Sequence, residues 1–341
     1  TQRGHKAILT PATHMYFDFP ESRTPGEVKA ATWMPPISLE KCYSMEINDY
    51  SPALSELKST TPLGLHLEGN RLWIGNGNCE FRFDTGSGTL VGMTAGGTDI
   101  LHGTDGFVLD WYRSINNRQY SWTEPIITLD DFKYSLSPDS TTAHVSASFK
   151  AEIGDITLPY SIDYTVYGNG TADIAATFHA PGNFNLPRLG LTATLSPALE
   201  NVGWFGRGPI ENYTDRQAAA FIGRYSGTVE GMREHYVRPQ SMGNRCDTRW
   251  LTLADSDGKG IRISGSEPFA FSAQHYTDKD LWKVRYDHEL PTIRRAEVVL
   301  CLDCAQFGLG NNSCGPGPLA KYTIQPDTTY SCTFRIEPLR N

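Results

Sequence analysis

Apolar and polar positions alternate with a period of two along most of this chain. Arg71-Leu72-Trp73-Ile74 is followed by the turn residues Gly75 to Asn78. Cys79 to Phe83 alternates again, Asp84 to Gly88 breaks the run, and Leu90 to Met93 resumes it. The same alternation returns over 144–153, 156–167, 172–179, 188–195, 250–253, 260–264, 296–303 and 330–336. Successive side chains of a strand point to opposite faces, so each run reads as a strand with one face toward a core. Val, Ile, Thr, Tyr and Phe fill the runs, and Gly, Asn and Asp separate them about every ten residues. That pattern predicts an all-β protein with broad antiparallel sheets packed face to face. Helical periodicity over three turns is missing, so helix is expected in fewer than about a tenth of residues. Gln217 to Phe221 suits a single turn.

Residues 1–62 have a different texture. Pro11, Pro20, Pro25, Pro35, Pro36, Pro52 and Pro62 interrupt them, and no alternation develops. The chain therefore divides into an irregular segment, 1–62, and a sandwich, 63–341. The first is expected to pack only loosely on the second, because it has too little periodic apolar surface to bury a core of its own.

Charge narrows the partners. Thirty Lys and Arg face 38 Asp and Glu, a net charge of −8, which argues against nucleic acid, whose phosphates demand a basic surplus. No stretch approaches the ~20 apolar residues of a membrane helix, so no membrane partner is expected. The first residues, Thr1-Gln2-Arg3-Gly4-His5-Lys6, are neither an initiator Met nor a signal peptide, and the chain reads as a piece of something longer. Localisation stays unknown on this basis, and a periplasmic or extracellular setting is compatible with it.

Seven cysteines, at 42, 79, 246, 301, 304, 314 and 332, give no disulfide framework, being odd in number and irregular in spacing. Cys301 and Cys304 form a C-x-x-C, but they lie in a strand-like run. Residues three apart on a strand face opposite ways, so the two thiols are not expected to share an ion, and no second pair has zinc spacing. Phosphate loops, dinucleotide fingerprints, nucleophile elbows and H-E-x-x-H are missing, so neither a cofactor nor a metal is expected.

Four clusters mix charged forks with aromatic rings. The densest runs from Trp204 to Arg216, with Gly206 and Gly208 allowing tight backbone turns and Glu211 and Asp215 near Arg207 and Arg216 in sequence. The others are Asp110 to Asn117, Tyr236 to Trp250, and Gln274-His275-Tyr276-Thr277, the last followed by Asp287-His288-Glu289. Charged forks suit sugar hydroxyls and aromatic faces suit pyranose rings, so Arg113, Arg207, Glu211, Arg238 and His275 are candidate carbohydrate contacts. The competing reading is that the same residues form buried salt bridges that fix long connections. His275 with Glu289 or Glu267 also suits proton transfer of the mutarotase kind.

Taken in order, several of these stretches resemble the C-terminal domain, or small chain, of family 2 β-galactosidases. They are Trp111-Tyr112-Arg113-Ser114-Ile115-Asn116-Asn117, Pro187-Arg188-Leu189-Gly190, Trp204 to Arg216, Tyr236 to Trp250, Phe271-Ser272-Ala273 with His275-Tyr276, and Gly308 to Pro316. The resemblance covers about 65–338. It implies a large antiparallel supersandwich, galactose mutarotase-like, whose catalytic glutamates belong to a separate barrel domain. It therefore implies a carbohydrate and a catalytic barrel as partners, and no catalytic residue on this chain. In the best-known lactose-cleaving member this domain lends a Trp to the galactose pocket, whereas the position here, aligned on Leu302-Asp303, is near Val299.

The opening segment resembles something else. Gly4-His5-Lys6-Ala7-Ile8-Leu9-Thr10-Pro11, then Tyr16-Phe17-Asp18, then Ile37 to Ser44, is similar to a late barrel segment of family 20 β-N-acetylhexosaminidases. That resemblance implies contacts from Tyr16 to a substrate acetamido group and from Asp18 to a sugar hydroxyl. It leaves open a parent enzyme that is a β-N-acetylhexosaminidase, beside the β-galactosidase type and a carbohydrate-binding or scaffold domain with no enzymatic role.

Overall fold

A computed structural model describes residues 54–103, 106–115, 122–182, 184–311 and 314–339. Tyr16 and Asp18 lie outside the described residues, as does most of the segment 1–62. Strands dominate what is described, and helix amounts to 7%, within the expected tenth.

The first five strands form an antiparallel meander: β1 (Gly64–Glu68), β2 (Arg71–Asn76), β3 (Cys79–Asp84), β4 (Thr89–Ala95) and β5 (Thr98–Asp99). Its inner face is the alternating set read from the sequence, with Leu72, Ile74, Phe81, Phe83, Leu90 and Met93 buried. That face packs on the second sheet, where the Phe83 ring meets Tyr164 edge-on with centroids 5.1 Å apart. One wing of this second sheet joins β7 (Ile126–Leu136), β8 (Thr142–Ile153), β9 (Ile156–Tyr167), β10 (Ala172–His179) and β17 (Thr329–Pro338).

A 15-residue strand, β15 (Gly260–Gln274), organises the rest. One edge pairs with β14 (Arg245–Ala254), which continues to β12 (Asn201–Gly208) and β13 (Phe221–Thr228). The other edge is shared. Ile261 to Gly265 pairs with β17, whereas Ala270 to Gln274 pairs with β16 (Val298–Gln306), which leads to β11 (Arg188–Leu195) and β6 (Val108–Asp110). The sheet thus forks beside residues 266–269 into two wings, and the main core fills the space they enclose with the meander.

Several strands, among them β6, β7, β12 and β13, escaped the periodicity reading. β7 is an edge strand: Leu129, Phe132 and Leu136 pack on the core, but a bulge between Leu129 and Asp131 breaks the alternation, and Ile126, Ile127 and Tyr134 are exposed. Trp204 to Gly208, read as part of a loop, is the second half of β12. In place of the single turn expected over Gln217 to Phe221, Gln217 to Ala220 forms a β-turn, closed by the Ala220 amide donating to the Gln217 carbonyl at 3.0 Å, and Phe221 opens β13. On β16 the C-x-x-C behaves as strand pleating requires. Cys301 faces Thr192, 3.8 Å from its Oγ1, whereas Cys304 packs on the main core.

The described end of the opening segment lies against the sandwich. Arg335 Nη1 donates to the Ser55 carbonyl at 2.8 Å, and Asn76 Nδ2 donates to the Pro62 carbonyl at 3.1 Å. Gly168 approaches Thr61 so closely that a Cβ there would sit 1.7 Å from its carbonyl oxygen. Leu63 is buried, and its amide donates to Ser140.

Candidate functional site

The quoted motifs converge over the face of β15 and β16 that carries Ser272, Gln274, Val299 and Cys301. Backbone amides there are paired by side chains from distant motifs. Asn212 Oδ1 accepts from the Cys246 amide at 2.8 Å, Asn244 Nδ2 donates to the Asn212 carbonyl at 2.7 Å, and Gln306 Nε2 donates to Asn244 Oδ1 at 2.7 Å. Asp215 accepts from the amides of Leu309 (3.0 Å) and Gly310 (2.7 Å). Gly310 has φ +57° and lies against Pro318, so a side chain there would be both strained and blocked. Short polar side chains in these motifs therefore replace a sheet ladder where the chain runs irregularly.

Beneath these loops lies a knot of buried charge. Arg188, 2% exposed, places Nη1 2.6 Å from Asp110 and 3.1 Å from Asp278, and Nε 2.9 Å from Asp303. Burial pushes the Asp110 carboxyl up to about 6 despite Arg188, with Asp303 and Asp278 adding to the rise. Burial likewise raises Asp303 against the pull of Arg188. Arg113 is fully buried beside the knot, donating Nη1 to the Phe307 carbonyl at 2.6 Å and stacking its guanidinium 5.1 Å from the Tyr213 ring centroid. A small cavity of about 20 Å³ lies between the two arginines, lined also by Val299, Cys301, Gln274 and Tyr276.

Above the knot opens a cleft of about 610 Å³. Tyr213, Tyr236, Gln240, Ser241, Arg216 and Asn311 supply its rings and hydrogen-bonding groups. Tyr213 and Ser241 line both spaces. Glu211 stands behind the rings, accepting from Tyr236 Oη, from Tyr213 Oη at 3.2 Å and from the Gly243 amide at 3.0 Å. Burial raises its carboxyl above the usual range. With three donors directed at it, Glu211 is occupied in positioning the tyrosines.

The five described candidates from the sequence are not gathered on one concave face. Arg113 is inside, and Glu211 lies behind the cleft wall. Arg207 pairs with Asp247 and donates to the Ala220 carbonyl at 2.9 Å, so its ion pair is with neither Glu211 nor Asp215. Arg238 is exposed and Val237 beside it is 83% exposed. His275 is 2% exposed, with Nε2 3.0 Å from Glu200 and Nδ1 3.1 Å from the Glu297 carbonyl. Glu289 instead accepts the amides of Arg285 and Tyr286, and Glu267 is exposed at the strand fork, so neither is the histidine's partner. Tyr213, Tyr236, Gln240 and Asn311 line the cleft without having been singled out individually, although each lies inside a quoted motif. The Arg188 knot was also missed, since Asp110 and Asp278 lie 78 and 90 residues from Arg188 and no local spacing marks their meeting.

Among the described residues, no group of three or more His, Cys, Asp or Glu is arranged to hold a metal ion, and no helix is long and apolar enough to cross a membrane.

Comparison with known proteins places this geometry in context. A β-galactosidase from Priestia megaterium is 25% identical over 313 residues, covering 88% of this chain and 30% of that protein. A β-galactosidase from Vibrio cholerae is 36% identical over 154 residues, covering 45% of this chain and 14% of that one. The chain thus spans less than a third of the length of these relatives. Among solved structures, the galactose 1-epimerase from Lactobacillus acidophilus superposes with a TM-score of 0.43 at 12% identity, covering 83% of this chain and 99% of that one. The model of the beta galactosidase small chain matches residues 75–336, and the chain belongs to that family.

Proposed function

We propose that this chain is the non-catalytic C-terminal domain of a β-galactosidase-type glycoside hydrolase, and that its open cleft helps hold a terminal β-linked sugar beside a catalytic barrel. The observation that carries this reading is the composition of the cleft. Its described lining offers two tyrosine rings, two side-chain amides, a serine hydroxyl, a guanidinium, a thiol and backbone, but no carboxylate. Such a surface binds a polyol through stacking and hydrogen bonds, yet has neither the acid nor the nucleophile that glycosidic cleavage requires. The carboxylates that accept from its lining, Glu211, Asp215 and Asp278, already accept two or more hydrogen bonds each. Hydrolysis then depends on carboxylates from the parent protein. Exposed Val237 and Leu319, beside cleft residues in sequence, give the rim apolar contacts for a docked domain.

The pure chain should not turn over a nitrophenyl β-galactoside, and should bind galactose weakly, with amide shifts confined to the loops bearing Tyr213, Gln240 and Asn311. Turnover abolished by substituting a sandwich carboxylate would overturn the reading, as would the lack of any galactose-induced shift at high concentration. A second reading rests on Gly4 to Pro11 and the Tyr16-x-Asp18 pair: a parent that cleaves β-N-acetylhexosaminides. Preference of the parent protein for a chromogenic N-acetylglucosaminide over the galactoside would favour it.

A further inference from the structure

The forked strand arrangement brings together two cysteines that neither the cleft nor the charged knot uses. The β15–β16 register ends at Ala270 opposite Asp303, and the β15–β17 register ends at Gly265 opposite Phe334. Continued past those pairs, the first register puts Cys304 level with Phe269, and the second puts Cys332 level with Glu267. Both cysteines thus stand at the crotch of the fork, one on each diverging strand. Strand alternation decides their direction. Cys304 shares a face with Leu300 and Leu302, and Cys332 shares one with Phe334 and Ile336, all four in the main core. Both thiols therefore point into the space between the wings, where each packs against the core while remaining partly accessible. β16 and β17 come close to one another, and the two thiols are near enough to perturb each other electrostatically. Cys79, Cys246 and Cys301 are buried elsewhere, and Cys314 is exposed beside the cleft.

We propose that Cys304 and Cys332 are a latent disulfide site, closed by thiol–disulfide exchange with a small-molecule or protein disulfide, which staples the two wings of the sheet at their fork. In the first step the Cys304 thiolate attacks one sulfur of the oxidant's disulfide, forming a mixed disulfide and expelling the first thiolate. In the second, the Cys332 thiolate attacks Cys304 Sγ, forms the protein disulfide and expels the second thiolate. The two protons leave with the expelled thiols, so two protein thiols are oxidised and one external disulfide is reduced. Hydrogen bonding to Cys304 and burial push the Cys332 thiol well above its ordinary range. Closure of the native protein is therefore slow, and it is faster during folding, before the wings have packed. The bond closes the chain segment from 304 to 332, which carries the Gly308 to Pro316 loop of the cleft. It restrains the unfolded chain and ties that loop's two ends to the core.

Peptide mapping of the full chain tests this, after incubation with glutathione disulfide at mildly alkaline pH and, separately, after refolding from denaturant in a glutathione redox buffer. The expected result is one peptide pair joined through Cys304 and Cys332, with the loss of two hydrogens. It is accompanied by a melting temperature about 5 °C higher, which returns to the reduced value with dithiothreitol. Cys304→Ser and Cys332→Ser should each remove both effects, and Cys314→Ser neither. Recovery of both cysteines as free thiols or separate glutathione adducts in both samples, or a link from either to Cys314, would overturn the proposal.

Discussion

The knot around Arg188 and the cleft above it share Tyr213 and Ser241, yet are built from opposite chemistry. The knot gathers full charges in a tight, buried space, where an arginine is ringed by three aspartates. The cleft gathers mainly neutral donors, acceptors and rings around a volume some thirty times larger, on the order of what a monosaccharide or disaccharide needs. Buried ions are costly to desolvate and become tolerable only when geometry is fixed, so they serve to lock loops in place. Neutral groups facing water can exchange it for a sugar hydroxyl at little cost, so they serve to bind. Polar–aromatic clusters that look alike in sequence thus separate into residues that hold the loops and residues that the loops present.

The largest break in that comparison should come from Arg188. Replacing it with Met leaves Asp110, Asp278 and Asp303 buried without their shared cation. Removing one partner of a buried ion pair typically costs ~3–5 kcal/mol, and three carboxylates depend on this one. Denaturant unfolding of Arg188→Met should show a loss of at least that size, or no folded protein. A loss below about 1 kcal/mol would mean that the knot does not lock the loops.

Asp110 should make the knot visible in a pH profile. Its folded carboxyl lies at about 6, above the ~3.9 of an unfolded aspartate, so the folded state binds this proton more tightly. The stabilisation is present in full below about pH 4 and is lost as pH rises through about 6, a change on the order of 3 kcal/mol. Asp303, raised for the same reason, acts in the same direction. Asp280, held down to about 2 mainly by its hydrogen bond to Arg295 working against burial, loses its contribution below pH 4 and lies outside this window. Asp110→Asn should therefore flatten, without abolishing, the fall in stability between pH 4 and 6. An unchanged slope would place that proton elsewhere.

The cleft should respond in binding rather than in folding. Gln240→Ala removes hydrogen-bonding groups from the lining and leaves the knot intact. Galactose affinity should fall about five- to tenfold, the worth of one or two net hydrogen bonds, with almost no change in melting temperature. A large drop in melting temperature with unchanged affinity would make the cleft a structural seam.

How much of this was legible beforehand depends on the range of the interaction. Alternation is a local signal, and it marked β3, β8, β9, β10 and β11 because each has one buried face. It failed on β7, an edge strand whose alternation is broken by a bulge between Leu129 and Asp131, and on β12, where Gly203, Gly206 and Gly208 mimic a loop. The motif residues were visible as clusters, but their division of labour was not. Nothing in the sequence near Arg113 says that it turns inward to Phe307, 194 residues away, while Gln240 turns outward. That choice is made by which loops meet over this face of the sheet, and only the assembled topology contains it.

The smallest effects sharpen the comparison at its margin. Arg207 and Arg238 sit in the same kinds of motif as Arg113, but neither lines the cleft or enters the knot. Arg207 meets Asp247, which a bulge between Arg245 and Thr248 places at φ +51°, and both side chains keep a quarter to a third of their exposure. Solvent screens such a pair, so its net worth is ~0–1 kcal/mol, and the bond from Arg207 to the Ala220 carbonyl adds a similar amount. Arg207→Ala should therefore lower the unfolding free energy by about 1 kcal/mol, while Arg238→Ala, with its side chain in water, should change it by less than about 0.5 kcal/mol. Neither substitution should alter galactose affinity measured by titration of amide shifts. If Arg238→Ala weakens binding as much as Gln240→Ala does, the sugar surface extends past the cleft to the exposed rim. The boundary between holding and presenting residues then moves outward to include Val237 and its neighbours.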